Sequence, residues 1–309
     1  MDIMEALLKT SVSIVIPVRN GEKTIIALLE SIYSGSISPD EVVVIDQSDN
    51  ESTQTIIDYY QKINKRNCLC YIRSSRRGLC ANRNDCIKAA KHEFIVFVDQ
   101  DMTVDYRWLE LIVDEWVDKW NKKPVVISGR TLPGDQFKPT DLVPSIQESN
   151  ERKVYIKRPK TTEVLYGAYF AASKELFVSL RPKPFDERLG VGTKFPGADD
   201  TDFAYRVIRA GYLIVYEPKI LAYHHPEPRS WRKMHYDYSI GYGAYMGKYL
   251  LEGDIIMLID FVRCMIGNIV KGFRSLIKLQ EPEGSARLLA NLGLVNGFVR
   301  WIFSEKRGQ

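Results

Sequence analysis

The sequence predicts an α/β fold, a mainly parallel sheet flanked by helices, with an α-helical extension at its C-terminal end. Short apolar runs rich in β-branched residues recur at 12–16 (VSIVI), 41–46 (EVVVID) and 94–98 (FIVFV). Each leads through a polar exit into a helical stripe, the pattern of parallel strands joined by crossovers. The third run releases Asp99-Gln100-Asp101 at its end, and in an open α/β sheet the strand exits are where ligands sit. Past residue 228 the strand-like runs stop and helical periods take over.

At 309 residues the chain can bury a large core. With 45% hydrophobic and 27% charged residues it reads as globular rather than disordered. A formal charge of +4 is too small to imply nucleic acid as a partner. Its distribution is more telling: the first 228 residues hold 31 basic and 32 acidic side chains, the remainder 12 and 7. A basic tail on a near-neutral body predicts contact with an anionic surface. Cys68, Cys70, Cys80, Cys86 and Cys264 show neither CxxC pairs nor zinc spacing with the four histidines, and are expected to be reduced thiols of a cytoplasmic protein. The leading MDIMEALLKT lacks the basic region and long apolar core of a signal peptide. No apolar stretch reaches the roughly 20 residues of a membrane-spanning helix.

In order along the chain, Pro17 stops the first strand before the loop VRNGEK, and Ile25, Leu28, Leu29 and Ile32 mark a helix over 24–33. After Asp46 the loop QSDNEST precedes a stripe through Ile56, Ile57 and Tyr60. A strand at 69–73 and a turn at Gly78 lead to a helix over 81–90. Arg83 and Asn84 stand in its first turn, where free amides and the helix dipole suit phosphate oxygens. The plainer readings are a solvated face for Arg83 and a loop or helix-capping role for Asp46. A helix over 108–120 and a strand at 124–130 follow. From Thr131 to Thr162 no period holds, and so long a connection in a compact domain is commonly functional. Regular structure resumes over 164–177, where Gly167 and Ala168 are candidates for an acceptor or sugar pocket. Asp199, Asp200 and Asp202 open a helix that buries Phe203, Ala204, Val207 and Ile208 and ends at Gly211. Capping needs only one of those carboxylates. The runs LIVYEP and ILAYHH then end in His224 and His225, which on a strand point to opposite faces, so at most one faces a site.

Taken in order, IVIPVRN, VVVID, GLCANRN, FIVFVDQDM, FDERLG, GADDTDF and a late histidine are similar to glycosyltransferase family 2, the inverting nucleotide-sugar transferases of GT-A fold. The similarity covers residues 12–228. It implies a Rossmann-like GT-A domain over 10–228, followed by a helical region over 229–309. It also implies transfer of a sugar from a nucleotide-diphosphate sugar to a hydroxyl of a glycan or lipid-linked acceptor. Pro17, Val18, Arg19, Asn20 and Asp46 would line the nucleoside pocket, Arg83 would lie by the diphosphate or sugar, and Asp99 with Gln100 would touch the donor. Asp101 would hold the metal, and the acidic pair Asp199–Asp200 would supply the base, Asp200. Chemically, Mg2+ or Mn2+ on Asp101 with help from Asp99 suits a hard cation, and His224 or His225 could complete its shell. Gln47 stands where the family commonly has a second acid after strand two, and Asp199 where glutamate is more usual.

Two other readings have different signatures. A nucleotidyltransferase should carry a glycine-rich basic loop after the first strand, and VRNGEK supplies one glycine. A catalytically silent nucleotide-sugar-binding subunit of a membrane-associated assembly should lack the carboxylates, yet Asp99, Asp101 and Asp200 are all present. From Asp254 on, Asp260, Arg263, Gly267, Lys271, Arg274 and Lys278 share one helical stripe with apolar residues around it. That pattern fits either an anionic membrane surface at the inner face of a membrane or a helix packed on protein. A second segment, 288–303, ends near Trp301 and Lys306-Arg307, residue types that suit a headgroup region.

Overall fold

The computed structural model describes residues 10–65, 68–137, 143–157, 164–226, 230–280 and 282–306. The leader expectation on residues 1–9, the boundary at 228, Arg307 and part of the connection 131–162 lie outside the described residues. The chain divides into two compact units. One runs through Arg77, from Ala81 to Phe185 and from Phe203 to Pro226; the other takes Gly78–Cys80, Asp186–Asp202 and the chain from Glu227 on.

The first unit is built on a sheet that, among the described residues, has nine strands. They are β1 Val12–Val18, β2 Glu41–Asp46, β3 Leu69–Arg73, β4 Phe94–Val98, β5 Met102–Val104, β6 Val125–Pro133, β7 Lys153–Tyr155, β8 Tyr169–Ser173 and β9 Leu213–His224. Their order is β3-β2-β1-β4-β8-β6-β9-β5, with β7 paired to β9. The first four are parallel, and β1, β2 and β4 are buried along their whole length, so they read as continuous apolar runs rather than alternating ones. β8 then reverses direction between β4 and β6. β6 and β9 are parallel, and β5 and β7 lie antiparallel on β9. The sheet is parallel in its Rossmann-like half and mixed beyond it.

Helices α1 Ile25–Tyr33, α2 Ser52–Asn64 and α3 Leu79–Ala89 supply the crossovers. α4 Trp108–Asp114 passes into one π-helical turn, Glu115–Lys119. The wider turn brings residues five apart together: Trp120 Nε1 donates to the buried Glu115 at 3.0 Å, beside Lys119 and Arg152, each at 2.6 Å. β9 is a single strand where the sequence shows two runs parted by Pro218. The ladder with β6 skips between Gly129 and Arg130, so Pro218, which has no N–H to donate, falls in the unmatched stretch. A side chain at Gly129 would come within 2.4 Å of the Ile220 carbonyl and 2.5 Å of the Tyr169 hydroxyl. Phe97, Phe170, Phe177, Phe185 and Phe203 form an aromatic cluster under β4 and β8.

The helix α5 Lys174–Ser179 follows β8, and α6 is Asp199–Arg209. The second unit is carried by α7 Trp231–Leu251, α8 Ile256–Ile277 and α9 Glu283–Lys306. α7 and α9 touch backbone to backbone through glycines: a Cβ on Gly243 would lie 2.0 Å from the Leu294 carbonyl, and one on Gly297 1.9 Å from that of Ile240. Trp301 is not at an exposed end of α9, as its sequence context suggested. It is 1% exposed, packed on Phe195 at 5.1 Å with the Arg188 guanidinium 4.4 Å over its ring, because its ring completes this small core. Among the described residues no helix is long and apolar enough to cross a membrane.

Candidate active site

The exits of β1, β2 and β4 converge because parallel neighbours end on one edge. At the first, Pro17 and Val18 are buried and Arg19 and Asn20 exposed. Asn20 adopts the left-handed conformation (φ 53°), which asparagine tolerates. Its backbone N–H donates to Ser48 at 2.7 Å, and its side chain accepts from Asp49 N–H at 3.0 Å. Gln100 joins the β4 exit to this loop, its Oε1 accepting from Arg19 N–H at 2.8 Å and its Nε2 donating to the Arg19 carbonyl at 3.1 Å.

The Asp46 carboxylate is closed to solvent. It is fully buried, and accepts from the Ser48 N–H (2.7 Å) and hydroxyl, Tyr71 OH (2.7 Å) and Arg73 Nη1 (3.0 Å). Four donors fill the four lone-pair positions of a carboxylate, so Asp46 braces the loop that follows it. Burial, and then the bond to Asp46, push the Tyr71 hydroxyl up to about 12, so it stays a donor. The exposed acid here is Asp49, paired with Arg19 Nη2 at 3.3 Å and Arg77 Nη2 at 2.9 Å.

Arg83 does not lie on a solvated helix face. It is 1% exposed, with its guanidinium against Phe170 and Phe185 at 5.7 and 5.6 Å. Its Nη2 donates to the Gly167 carbonyl at 2.8 Å and meets Asp99 Oδ1 at 3.3 Å. The Asp99 N–H donates to the Ala168 carbonyl at 2.9 Å. Arg83, Asp99, Gly167 and Ala168 are therefore one assembly, in which the guanidinium sets the Asp99 carboxylate.

β5 carries the chain from Asp101 back onto β9, placing Met102 opposite His224, and the His225 N–H donates to the Asp101 carbonyl at 2.7 Å. The two histidines part as strand alternation requires. His224 turns its Nε2 to Asp101 Oδ1 at 3.4 Å, and its Nδ1 lies 2.8 Å from the Pro144 carbonyl. That carbonyl can only accept, so Nδ1 carries the proton and Nε2 is the nitrogen offered at Asp101, the orientation found behind metal-ligating histidines. Burial disfavours a charged His224, but Asp101 and the Pro144 carbonyl outweigh it and raise its pKa. His225 faces away, Nε2 to Thr103 at 2.8 Å and Nδ1 to Gln136 at 2.7 Å. Both its nitrogens have partners on that side, so His224 is the one of the two turned to Asp101. Among the described residues no group of three or more His, Cys, Asp or Glu gathers as a metal site. Asp101 and His224 fit as two protein donors, with other oxygens needed to complete a shell.

In the second unit, the three acids at the start of α6 separate in role. Asp202 is 1% exposed and accepts from Lys248 Nζ at 2.6 Å and Tyr249 OH at 2.7 Å. Lys248 also meets Asp186 at 2.8 Å. Asp199 is buried beside Gly190, and Asp200, the most open of the three, accepts from Thr201 N–H at 2.7 Å. Ser48, Asp49, Arg77, Pro144 and Lys248 carry no signal of their own in the sequence, and Asp186 stands out there only as part of FDERLG. The turn composition of QSDN marked a loop without its partners, and nothing near Lys248 marks a cation held between two carboxylates.

Residues 13–180 match the family model described as Glycosyl transferase family 2. The chain belongs to this family. It is 26% identical over 218 residues to a poly(ribitol-phosphate) beta-glucosyltransferase of Bacillus spizizenii, covering 65% of this chain and 33% of the relative. To the poly(ribitol-phosphate) beta-N-acetylglucosaminyltransferase TarS of Staphylococcus aureus it is 31% identical over 157 residues, 48% of this chain and 26% of the relative. The family 2 chain thus matches about a third or less of the length of these curated relatives. Among solved structures it resembles the mannosyltransferase PcManGT from Pyrobaculum calidifontis in complex with GDP-Man and Mn2+ (TM-score 0.63, 17% identity, 97% of this chain and 93% of that one). It also resembles residues 1–349 of S. aureus TarS in complex with UDP-GlcNAc (TM-score 0.56, 19% identity, 97% and 93%). These likenesses show the fold, GT-A.

Proposed function

We propose that this family 2 chain is an inverting glycosyltransferase that moves a sugar from a nucleotide-diphosphate sugar to a hydroxyl of a glycan or lipid-linked acceptor, working at the inner face of a membrane. The observation that carries the reading is the Asp101–His224 pair at the β4 exit, with His224 Nε2 turned to the carboxylate by the Pro144 carbonyl. Mg2+ or Mn2+ bound there would neutralise charge on the departing diphosphate, its shell completed by phosphate oxygens and water. Arg19, Asn20 and Gln100 form the wall available to the nucleoside, and Asp46 holds that wall in shape from behind. Asp99, oriented by Arg83, offers its carboxylate to ribose or sugar hydroxyls. Asp200 takes the proton of the acceptor hydroxyl as that oxygen attacks the anomeric carbon, the bond to the diphosphate breaks, and the configuration inverts. A base so used contributes on the order of 10^2 to 10^4 in rate.

The test is a panel of UDP-, GDP- and dTDP-sugars with Mn2+, scored by nucleoside diphosphate release. UDP-GlcNAc and GDP-Man are the first to try, since they occupy the structural relatives. Asp101→Ala should abolish Mn2+-dependent release, and Asp200→Asn should keep donor binding while losing most transfer. Wild-type release from Asp101→Ala, or no donor bound at all, would sink the reading. Retained transfer by Asp200→Asn would move the base to Asp199.

A further inference from the structure

We propose that the helical unit docks on an anionic phospholipid bilayer through α8, whose exposed apolar sector enters the interface while a cationic hollow at its C-terminal end takes a lipid phosphate. This rests on the membrane-facing part of the function proposed above and deepens it, and it asks nothing of the transfer chemistry.

At 3.6 residues per turn α8 divides into three sectors. One meets α9: Phe261 packs on Phe298 at 4.7 Å, Asn268 donates to Asn291 at 3.0 Å, and Gly272 lies under Leu288. A second carries Leu258, Val262, Ile266, Ile269, Phe273 and Ile277, each between 40 and 82% exposed. The third carries Arg263, Lys271 and Arg274, continued by Lys278 just past the helix end, all exposed, with Asp260 as its acid, 3.6 Å from Arg263. A helix that met only α9 and water would be polar over the whole arc turned away from α9. About half of that arc is apolar here, and the cations run along its edge.

The hollow is the second observation. Lys271, Arg274, Lys278 and Arg287 surround about 170 Å3 together with Ser275, Gln280 and Glu283. At roughly 30 Å3 per water, that is room for several waters or one phosphate ester. Glu283 is already engaged by Arg287, at 2.8 Å to Nε and 2.7 Å to Nη2, so the hollow keeps a cationic excess. Apolar surface bordered by cations matches hydrocarbon beneath a layer of phosphates. A second copy of this chain would bring the same cationic row and little negative charge to meet it. Since no helix among the described residues can cross a bilayer, α8 would lie in the plane of the interface.

The experiment is flotation of the full chain, with no donor present, on vesicles of phosphatidylcholine alone or mixed 7:3 with phosphatidylglycerol. Binding should require phosphatidylglycerol and weaken with salt. Replacing Lys271, Arg274 and Lys278 together by Gln should weaken it on the order of 100-fold, at roughly five-fold per cation. Ile266→Asp with Phe273→Asp should abolish it while circular dichroism stays that of the wild type. Equal binding to both vesicles, or an undiminished triple Gln variant, overturns the proposal. So does full release by inorganic phosphate at matched ionic strength, which would make the hollow a free-phosphate site. So, too, does a dimer in sedimentation that the double Asp variant splits, without vesicle binding. Because no donor is present, failure here leaves the transferase reading standing, and an inactive donor panel leaves this one standing.

Discussion

A guanidinium that is 1% exposed and held by a carboxylate, a carbonyl and two phenyl faces has its position dictated by its surroundings. Removing such a cation leaves its partners unpaired, which costs about 3–5 kcal/mol for a buried pair. Because Asp99 is partly open to water, Arg83→Met is expected near the lower end, about 3 kcal/mol in urea unfolding. Arg83→Lys should recover only part, since an ammonium cannot reproduce the planar fork that reaches both Asp99 and Gly167. A lysine variant as stable as wild type would show that Arg83 does not set Asp99. Lys248, whose side chain is 10% exposed, makes a second case. Burial opposes the charge of Asp186, but Arg188 and Lys248 outweigh it and hold the carboxyl well below the usual carboxylate range. With its folded pKa below the unfolded value near 3.9, ionised Asp186 stabilises the chain above that pH, and the contribution is lost as pH falls through the folded pKa. Urea midpoints from pH 7 to 2 should show Asp186→Asn less stable at neutrality and falling less steeply below pH 4; parallel curves would refute the assignment.

At the scale of elements, the strands whose whole length is buried were legible because burial on both faces makes them mostly apolar runs, the polar Ser13, Glu41 and Asp46 each being held by hydrogen bonds. Two features were not. The reversal at β8 follows a connection without period, so nothing in the chain announced its direction, and Pro218 looked like the end of a strand because a bulge opposite Gly129 is invisible until β6 and β9 pair. The helices α7 and α9 give an element-level test. A methyl on Gly243 or Gly297 would meet backbone carbonyls at 2.0 and 1.9 Å, contacts that only separation of the helices relieves. Gly243→Ala and Gly297→Ala should each cost about 1–3 kcal/mol or more, the range of overpacked cores. Gly267 in α8 has nothing within 4 Å of its would-be methyl, so Gly267→Ala should instead gain about 0.5–1 kcal/mol from helix propensity. Thermal unfolding of the three variants checks the contrast, and a stabilising Gly243→Ala would mean that the glycine contact between α7 and α9 is wrong.

For the whole molecule, the candidate site was legible where strand exits release polar residues, at Arg19, Asn20, Gln100 and Asp101. It was illegible where function depends on what lies behind a side chain. Asp46 and Arg83 were visible as residues, but only packing shows that one is spent on four internal donors and the other on fixing Asp99. Likewise, strand alternation says that His224 and His225 point apart, while the choice between them needs the Pro144 carbonyl, which lies 80 residues away in sequence. That choice can be tested on the intact chain without turnover. A ligand that binds only the folded state stabilises it by about 2.7 kcal/mol at a hundred times its Kd, or about 5–10 °C in Tm for a domain of this size. The nucleoside diphosphate selected by the donor panel should therefore, with Mn2+, raise the Tm of the wild type by that amount, beyond its own shift with EDTA. Asp101→Ala should lose the Mn2+-dependent part and His224→Ala most of it. His225→Ala should keep it, because Thr103 and Gln136 hold both its nitrogens away from Asp101. Loss in His225→Ala with retention in His224→Ala would reverse the two roles and move the cation to the other face of β9.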